Sequence, residues 1–465
     1  DYESSQNRFP RPCSASGNQV YVSSHRTLEL MSVKILATGD LHIGRRSSKI
    51  PDDFGNPEGL SCASMWTRLV ECAIEEKVDL VLLSGDIVDQ DNSFFEAIAP
   101  LETGLEKLHS HGIQTCATAG NHDAAAFPRL ARLVDTGSFH LLGENGTWES
   151  VDCQRDGQPL ARVQGWSFPS RHHKTSPLLH HDLEPHPDVP TIGLLHADLE
   201  VADSDYAPVT LQELQSKSVA IWVLGHQHKP RHEKQAGRPQ VLYPGSPQAM
   251  DPGESGAHGP WIVQIEGRDR VTAEQLPLST VRYETRTVNA EGCDHADELR
   301  GSLVQAARTF ETTLQTLPTP PRLALLRFII EGRSTLSQQL SSLPELDRDS
   351  SELYSHPLCG RDTKVYAEKL LDKTRPVFDL AQLAEKKDPV GVVAKLLLDL
   401  DAETLSPETE ALVKECLDAT RNVHRNKSYA DVSSDPPVDH DVATKILREQ
   451  GLRLITELRK QEAAP

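Results

Sequence analysis

Short apolar runs recur along the first half of the chain, and each is stopped by glycine and a polar cluster. Val33-Lys34-Ile35-Leu36 is β-branched and too short for a core helix, which predicts a buried strand, and it runs into Ala37-Thr38-Gly39-Asp40-Leu41-His42-Ile43-Gly44. Asp79-Leu80-Val81-Leu82-Leu83 predicts a second strand, ending in Ser84-Gly85-Asp86-Ile87-Val88-Asp89. A third, Ile113 to Thr118, ends in Ala119-Gly120-Asn121-His122-Asp123. Between them, residues 64–77 repeat Trp66, Leu69, Val70, Ala73 and Ile74 at helical spacing, and a helix fits 94–111. This alternation predicts an α/β fold with helices packed on a largely parallel sheet.

The pattern loosens over 144–190, where Val163 to Phe168 looks like a strand. It tightens again at Thr191-Ile192-Gly193-Leu194-Leu195-His196-Ala197-Asp198, a strand ending on histidine. Val219 to Leu224 ends in Gly225-His226-Gln227-His228, and residues 240–247 and 260–265 read as further strands. From Val281 the character changes. An alternating strand (Val281 to Val288), a helix over 294–316 and an apolar strand (Arg322 to Ile330) predict a small α+β domain over 276–335. Residues 336–363 are polar and Ser-rich, as a linker is, and 364–465 read as helical. Ser406-Pro407-Glu408 opens one helix with a cap residue and a first-position proline. The stripe Val442, Ile446, Leu447, Leu454, Ile455 and Leu458 over 439–462 reads as ordinary packing in preference to a partner-binding face.

At 465 residues the chain exceeds one ordinary core, and no run approaches a membrane span. Residues 1–30 are polar and lack an apolar signal-peptide centre. They read as a leader outside the fold, with Met31 as a plausible start. Eight cysteines without a C-x-x-C pair fit reduced thiols of a cytoplasmic protein. A net charge of −20 argues against a non-specific nucleic-acid coat, but leaves room for a nucleic-acid enzyme whose bound cations reverse the field locally. Arg45 and Arg46 lie in a basic loop that is either simply solvated or touches a phosphate backbone. His172-His173 and His180-His181 read as solvated histidines of a Pro-rich loop.

Asp40, His42, Asp86, Asn121, His196, His226 and His228 all stand at strand ends, where open α/β sheets bind ligands. Two carboxylates, an amide and four imidazoles suit divalent Mn²⁺, Fe²⁺ or Zn²⁺ and are too many for one ion. Two ions would share a bridging carboxylate, hold a hydroxide and stabilise in-line displacement at phosphorus. His122, beside Asn121, is placed to protonate a leaving oxygen or stabilise the transition state, with Asp123 to orient it.

In order and spacing, G-D-L-H, G-D-x-x-D, G-N-H-D, the strand-end histidine and G-H-x-H resemble the calcineurin-type metallophosphoesterases over residues 32–265. The resemblance implies a β-sandwich flanked by helices over 31–275. It implies that Asp40, His42, Asp86 and His228 hold one ion and that Asp86, Asn121, His196 and His226 hold the other, with Asp86 bridging. Within that family Gly-Asp-Leu-His-Ile-Gly, Gly-His-Gln-His-Lys-Pro, Tyr243-Pro244-Gly245-Ser246-Pro247 and Gly253-Glu254 resemble the SbcD/YhaO-like DNA-repair nucleases. That likeness implies a DNA exo/endonuclease, Mn²⁺ dependence, a homodimer, a DNA-capping domain at 276–335 and a helical end that docks on an SbcC-like ATPase. A basic residue often follows the glycine-rich loop in that branch; here Gly256-Ala257-His258-Gly259 stands there. The alternatives are a phosphodiesterase or phosphatase of small molecules or phosphoproteins, and a non-catalytic scaffold. The protein-phosphatase motif G-D-x-V-D-R-G is broken here by Gln90 and Asp91.

Overall fold

The computed structural model describes residues 32–55, 57–89, 94–134, 137–337, 340, 356–402, 404–424 and 439–463. The leader read into 1–30 and most of the Ser-rich stretch before 356 lie outside the described residues. The chain divides into two compact units. Of the described residues, the first comprises those within 32–286, 304–327 and 356–369, and the second those within 287–303, 328–340 and 370–463.

The first unit has a mixed α/β fold of two six-stranded sheets flanked by helices. One sheet is built from β1 (Ser32–Thr38), β2 (Leu80–Ser84), β3 (Gln114–Thr118), β4 (Phe139–Leu141), β11 (Trp261–Glu266) and β12 (Arg270–Gln275), in the order β12-β11-β1-β2-β3-β4. The other is built from β5 (Trp148–Arg155), β6 (Gln158–Trp166), β7 (Thr191–His196), β8 (Ile221–Gly225), β9 (Arg231–Glu233) and β10 (Gln240–Tyr243), in the order β5-β6-β7-β8-β10-β9. Strands β1 to β4 are mutually parallel, as are β6, β7, β8 and β10; antiparallel pairing closes three of the four sheet edges, and the parallel β4 is the other.

The central strands are apolar on both faces because both faces are covered. Ile35, Ala37, Leu80, Leu82 and Cys116 meet Val163, Ile192, Leu194, Ile221, Val223 and Leu242 of the second sheet. Their neighbours of opposite parity, Leu36, Val81, Leu83 and Ala117, pack instead under helices α1 (Cys62–Glu75) and α2 (Phe94–Ser110) through Leu69, Val70, Ala73, Leu101, Leu105 and Leu108. Ser61 caps α1 by accepting from the Ser64 N–H at 3.1 Å.

Beyond Thr280 a third sheet takes the order β13-β14-β15, from β13 (Val281–Asn289), β14 (Leu323–Arg333) and β15 (Lys364–Arg375). Strand β15 corrects the helical expectation for 364 onward. Val365, Tyr366 and Ala367 are buried, and pairing beside the apolar β14 outweighs the charged, helix-like composition of Lys364–Arg375. The helical region starts later, at Leu380. It contains Leu380–Ala384, Pro389–Asp399, Pro407–His424 and His440–Ala463 around Leu383, Val390, Ala394, Leu397, Val413, Ala443, Leu452 and Ile455. Ser406 stands before Pro407 as expected, and its Oγ accepts from the Thr409 N–H at 3.3 Å. The buried face of the last helix is rotated from the expected stripe: Val442 and Leu454 are exposed, and Ala443 and Leu452 take their places. Among the described residues no helix is long and apolar enough to cross a membrane.

Candidate metal centre

Strand register aligns the polar clusters within each sheet. Thr38 lies beside Leu83, Ser84 beside Thr118, and His196 beside Gly225, so the motifs leave their strands at matched positions. The pairing runs on past the strands: the Asp40 N–H donates to Gly85 O and the His42 N–H to Asp86 O, each at 3.0 Å. From the second sheet, the His226 N–H donates to both carboxylate oxygens of Asp40, at 3.0 and 3.1 Å.

The backbone here is strained. Asp40, His42, Asp86 and His226 hold φ at 50°, 45°, 52° and 96°, in the left-handed region that costs a non-glycine residue about 1–3 kcal/mol. The reward is direction, since each turn aims its side chain at the same point. Two motif glycines leave the space this needs. A Cβ at Gly120 would collide with Asp86 Oδ1, and one at Gly225 with Ser84 O and, at 2.6 Å, with His196 Nδ1.

The seven predicted side chains converge. His42 Nε2 lies 3.2 Å from His228 Nε2. Asn121 Oδ1 lies 3.0 Å from His196 Nε2 and 3.2 Å from His226 Nδ1. Asp86 Oδ2 lies between the two groups, 3.8 Å from His42 Nε2 and 3.5 Å from His196 Nε2. Two donors that each sit about 2.1 Å from one ion, at octahedral or tetrahedral angles, are about 3.0–3.4 Å apart, so this spacing fits a divalent cation. Two trios, Asp40–His42–His228 and Asp40–Asp86–His196, each offer ligand atoms within 4.8 Å of one another. The trios share Asp40, whereas the short distances put Asp86 Oδ2 between the groups. Each of these two carboxylates also accepts a backbone N–H, Asp40 from His226 and Asp86 from His122.

Electrostatics agree with the donor chemistry. Burial pulls His42 down to about 3 and also lowers His196, against the pull of the Asp86 carboxylate on both. Burial raises Asp40, against the pull of His196 and His228. Burial would raise Asp86 too, but His196, His42 and His122 outweigh it and hold the carboxyl below its usual range. His228 moves the other way: burial lowers it, but Glu254, Asp40 and Asp86 overcome that and push it up to about 9. The pocket thus attracts positive charge, whether carried by a proton or a cation.

His122 is half-buried; its N–H donates to Asp86 Oδ1 at 2.9 Å and its ring sits edge-on to His42 at 5.3 Å. The expected orienting bond from Asp123 is corrected. Asp123 Oδ1 accepts from the Gly120 N–H at 2.7 Å, and Oδ2 from Ile87 and Val88 at 2.7 and 3.2 Å. Among the described residues it makes no hydrogen bond to the His122 ring; it ties the Asp86 turn to the Asn121 turn instead. Burial and the Asp86 charge push Asp123 up to about 8, against the pull of those three N–H groups. Arg45 reaches the rim, its Nε 3.4 Å from Asp89 Oδ2, which is itself 4.0 Å from His42 Nδ1. Arg46 is exposed on the same loop. His173 and His181 serve structure: the first leans on Trp166 at 4.9 Å, and the second bonds Gln164 at 2.9 Å.

Two carboxylates that the sequence reading quoted but gave no site role also meet the histidines. Glu254 Oε1 lies 2.7 Å from His228 Nδ1, and Asp198 Oδ1 lies 3.3 Å from His226 Nε2. A signal existed for Asp198, which follows His196 at the same two-residue spacing as Asp40 and His42. Glu254 is remote in sequence and carried none as a partner of histidine.

Residues 33–230 match the family model of the calcineurin-like phosphoesterases. The segment is thus similar to a class that hydrolyses phosphoesters at a dimetal centre, and it holds two candidate metal-binding groups, Asp40–His42–His228 and Asp40–Asp86–His196. Over 358 residues, spanning 74% of this chain and 80% of the relative, it is 25% identical to the uncharacterized metallophosphoesterase YhaO of Bacillus subtilis (strain 168). Similar solved structures include a dimetal phosphatase from Danio rerio (13% identity, 52% of this chain and 98% of that one, TM-score 0.32). Another is the Pseudomonas putida nuclease MPE (14% identity, 49% of this chain and 83% of that one, TM-score 0.22).

Proposed function

We propose that the protein is a two-metal phosphodiesterase acting on DNA, a cytoplasmic exo- or endonuclease of double-strand-break repair that works with Mn²⁺. In this reading Asp40, His42, Asp86 and His228 hold one ion, and Asp86, Asn121, His196 and His226 the other. The observation that carries it is Asp86 Oδ2, which lies within 4 Å of a donor in each group while its Oδ1 is held by the His122 N–H. When bound, the cation pair supplies Lewis acidity at the phosphate oxygens and an activated water.

The chain's own residues do the rest. The Asp86 and Asn121 turns, tied through Asp123, keep the two ligand groups at fixed separation. His122 stands beside the first group, where it gives a proton to the leaving oxygen or offsets the charge that builds on the phosphoryl oxygens. Arg45 and Arg46 offer positive charge to a phosphate backbone at the rim. The DNA substrate, the homodimer and the SbcC-like ATPase partner rest on the likeness of the motifs to SbcD and YhaO.

The test is Mn²⁺-dependent degradation of linear duplex and single-stranded DNA, run beside mononucleotides and a phosphodiester dye. Dye and DNA both turned over supports the nuclease; dye and nucleotides turned over with intact DNA supports the small-molecule alternative.

A further inference from the structure

The two histidines of Gly225-His226-Gln227-His228 face their neighbours with opposite ring nitrogens. His226 presents Nδ1 towards Asn121 Oδ1 at 3.2 Å, whereas His228 presents Nε2 towards His42 Nε2 at 3.2 Å. The nitrogen turned away from the centre meets a different carboxylate in each case. Asp198 lies 3.3 Å from His226 Nε2, and Glu254 lies 2.7 Å from His228 Nδ1.

We propose that Glu254 and Asp198 are positioning residues for the two separate ions: Glu254 fixes the tautomer and ring angle of His228, and Asp198 those of His226. The inference rests on the reading of these histidines as ligands. A neutral imidazole binds a cation through one nitrogen and carries its proton on the other, so whatever accepts that proton selects the binding nitrogen.

Glu254 is built for this. Its side chain is 7% exposed, and Oε2 accepts from the Met250 N–H at 2.8 Å and from Ser246 Oγ at 2.9 Å. Ser246 is held in turn by His258, whose Nδ1–H donates to the Ser246 carbonyl at 2.8 Å. With Oε2 pinned by a backbone donor and a hydroxyl, Oε1 has one direction left, towards His228. Asp198 is held more loosely: Ser204 Oγ donates to Oδ2 at 2.5 Å, and the Tyr206 ring leans against His226 at 5.0 Å between centroids.

Glu254→Gln keeps the shape but spoils the pattern. If its oxygen accepts from His228, its NH₂ faces the Met250 N–H; if it turns over, the NH₂ faces the His228 Nδ1–H. Asp198→Asn makes the matching change on the other side. The experiment is Mn²⁺ titration of the full-length, metal-stripped protein, read by bound-metal stoichiometry and by the electron paramagnetic resonance signal of an exchange-coupled Mn²⁺ pair. Wild type binds two ions and shows the coupled signal. Glu254→Gln weakens one ion by about 10–100-fold and keeps the other, giving a single-ion spectrum at intermediate Mn²⁺. Asp198→Asn weakens the other ion, so the double variant weakens both. Loss of a fold would weaken both ions in a single variant, and a thermal melt of the stripped protein separates that case. Should Glu254→Gln fail to fold, Ser246→Ala, which loosens Glu254 and leaves its charge, takes its place and lowers the affinity of one ion by a smaller factor. Two ions of wild-type affinity in both single variants overturns the inference and leaves the two-metal reading standing. No coupled pair in wild type overturns that reading itself.

Discussion

The His122 backbone N–H donates to Asp86 Oδ1 at 2.9 Å, so one oxygen of this carboxylate belongs to the turn that carries the proposed proton donor. The other oxygen is left to lie between the two donor groups. A substitution at Asp86 therefore acts on the ligand set and on the His122 turn at once. Asp86→Ala is expected to lower hydrolysis of a phosphodiester dye by about 10³-fold or more, because several kcal/mol of charge stabilisation go with the bridged pair. Metal analysis of the same variant is expected to find fewer than two ions.

His122→Ala separates chemistry from metal binding. The ligand atoms remain, so both ions stay bound, while turnover falls by about 10²–10⁴-fold, the usual contribution of a general acid. Metal analysis beside dye hydrolysis checks this; loss of an ion in this variant contradicts the role assigned to His122.

Asp123→Asn acts through the backbone. An amide has one oxygen where the carboxylate offers two, and three N–H groups from Gly120, Ile87 and Val88 depend on them. At least one buried N–H loses its acceptor, at a cost of about 1–3 kcal/mol. Thermal unfolding is expected to move down accordingly, with the loss visible in metal-free protein as well.

Protons and cations compete at His228. Without an ion its pKa stands at about 9, above the 6.5 of a free imidazole. The stabilisation from its pairing with Glu254, Asp40 and Asp86 is then fully present below about 6.5 and is lost as the pH rises through about 9. A cation must displace that proton, so apparent Mn²⁺ affinity is expected to climb as the pH rises towards 9. Calorimetric titration of stripped protein at several pH values checks the slope; affinity independent of pH would place no proton on the ligands.

Much of the site is legible in the sequence because strand ends in parallel sheets are marked locally, by an apolar run, a glycine and a polar residue. Asp40, Asp86, Asn121 and His226 each carry that mark and His196 ends its strand without the glycine; register aligns them within each sheet, and the packing of the two sheets brings the two sets together. Pairs across long sequence separation are not marked. Glu254 reaches His228 through a glycine-rich loop, and Asp123 serves Ile87 and Val88 in place of its neighbour His122. Strand β15 was hidden for the same reason: Lys364–Arg375 is charged enough to read as helix, and only the apolar strand next to it makes extended backbone the better state. The rotated face of the final helix is a smaller error of the same kind, since periodicity fixes a stripe only to within about one residue.

The two-ion centre is tested most directly by anomalous scattering from a crystal soaked in Mn²⁺. Two peaks about 3.5–4 Å apart, with Asp86 Oδ2 between them, His42 and His228 on one and Asn121, His196 and His226 on the other, are the expected result. A single peak, or none within reach of Asp86, would contradict it.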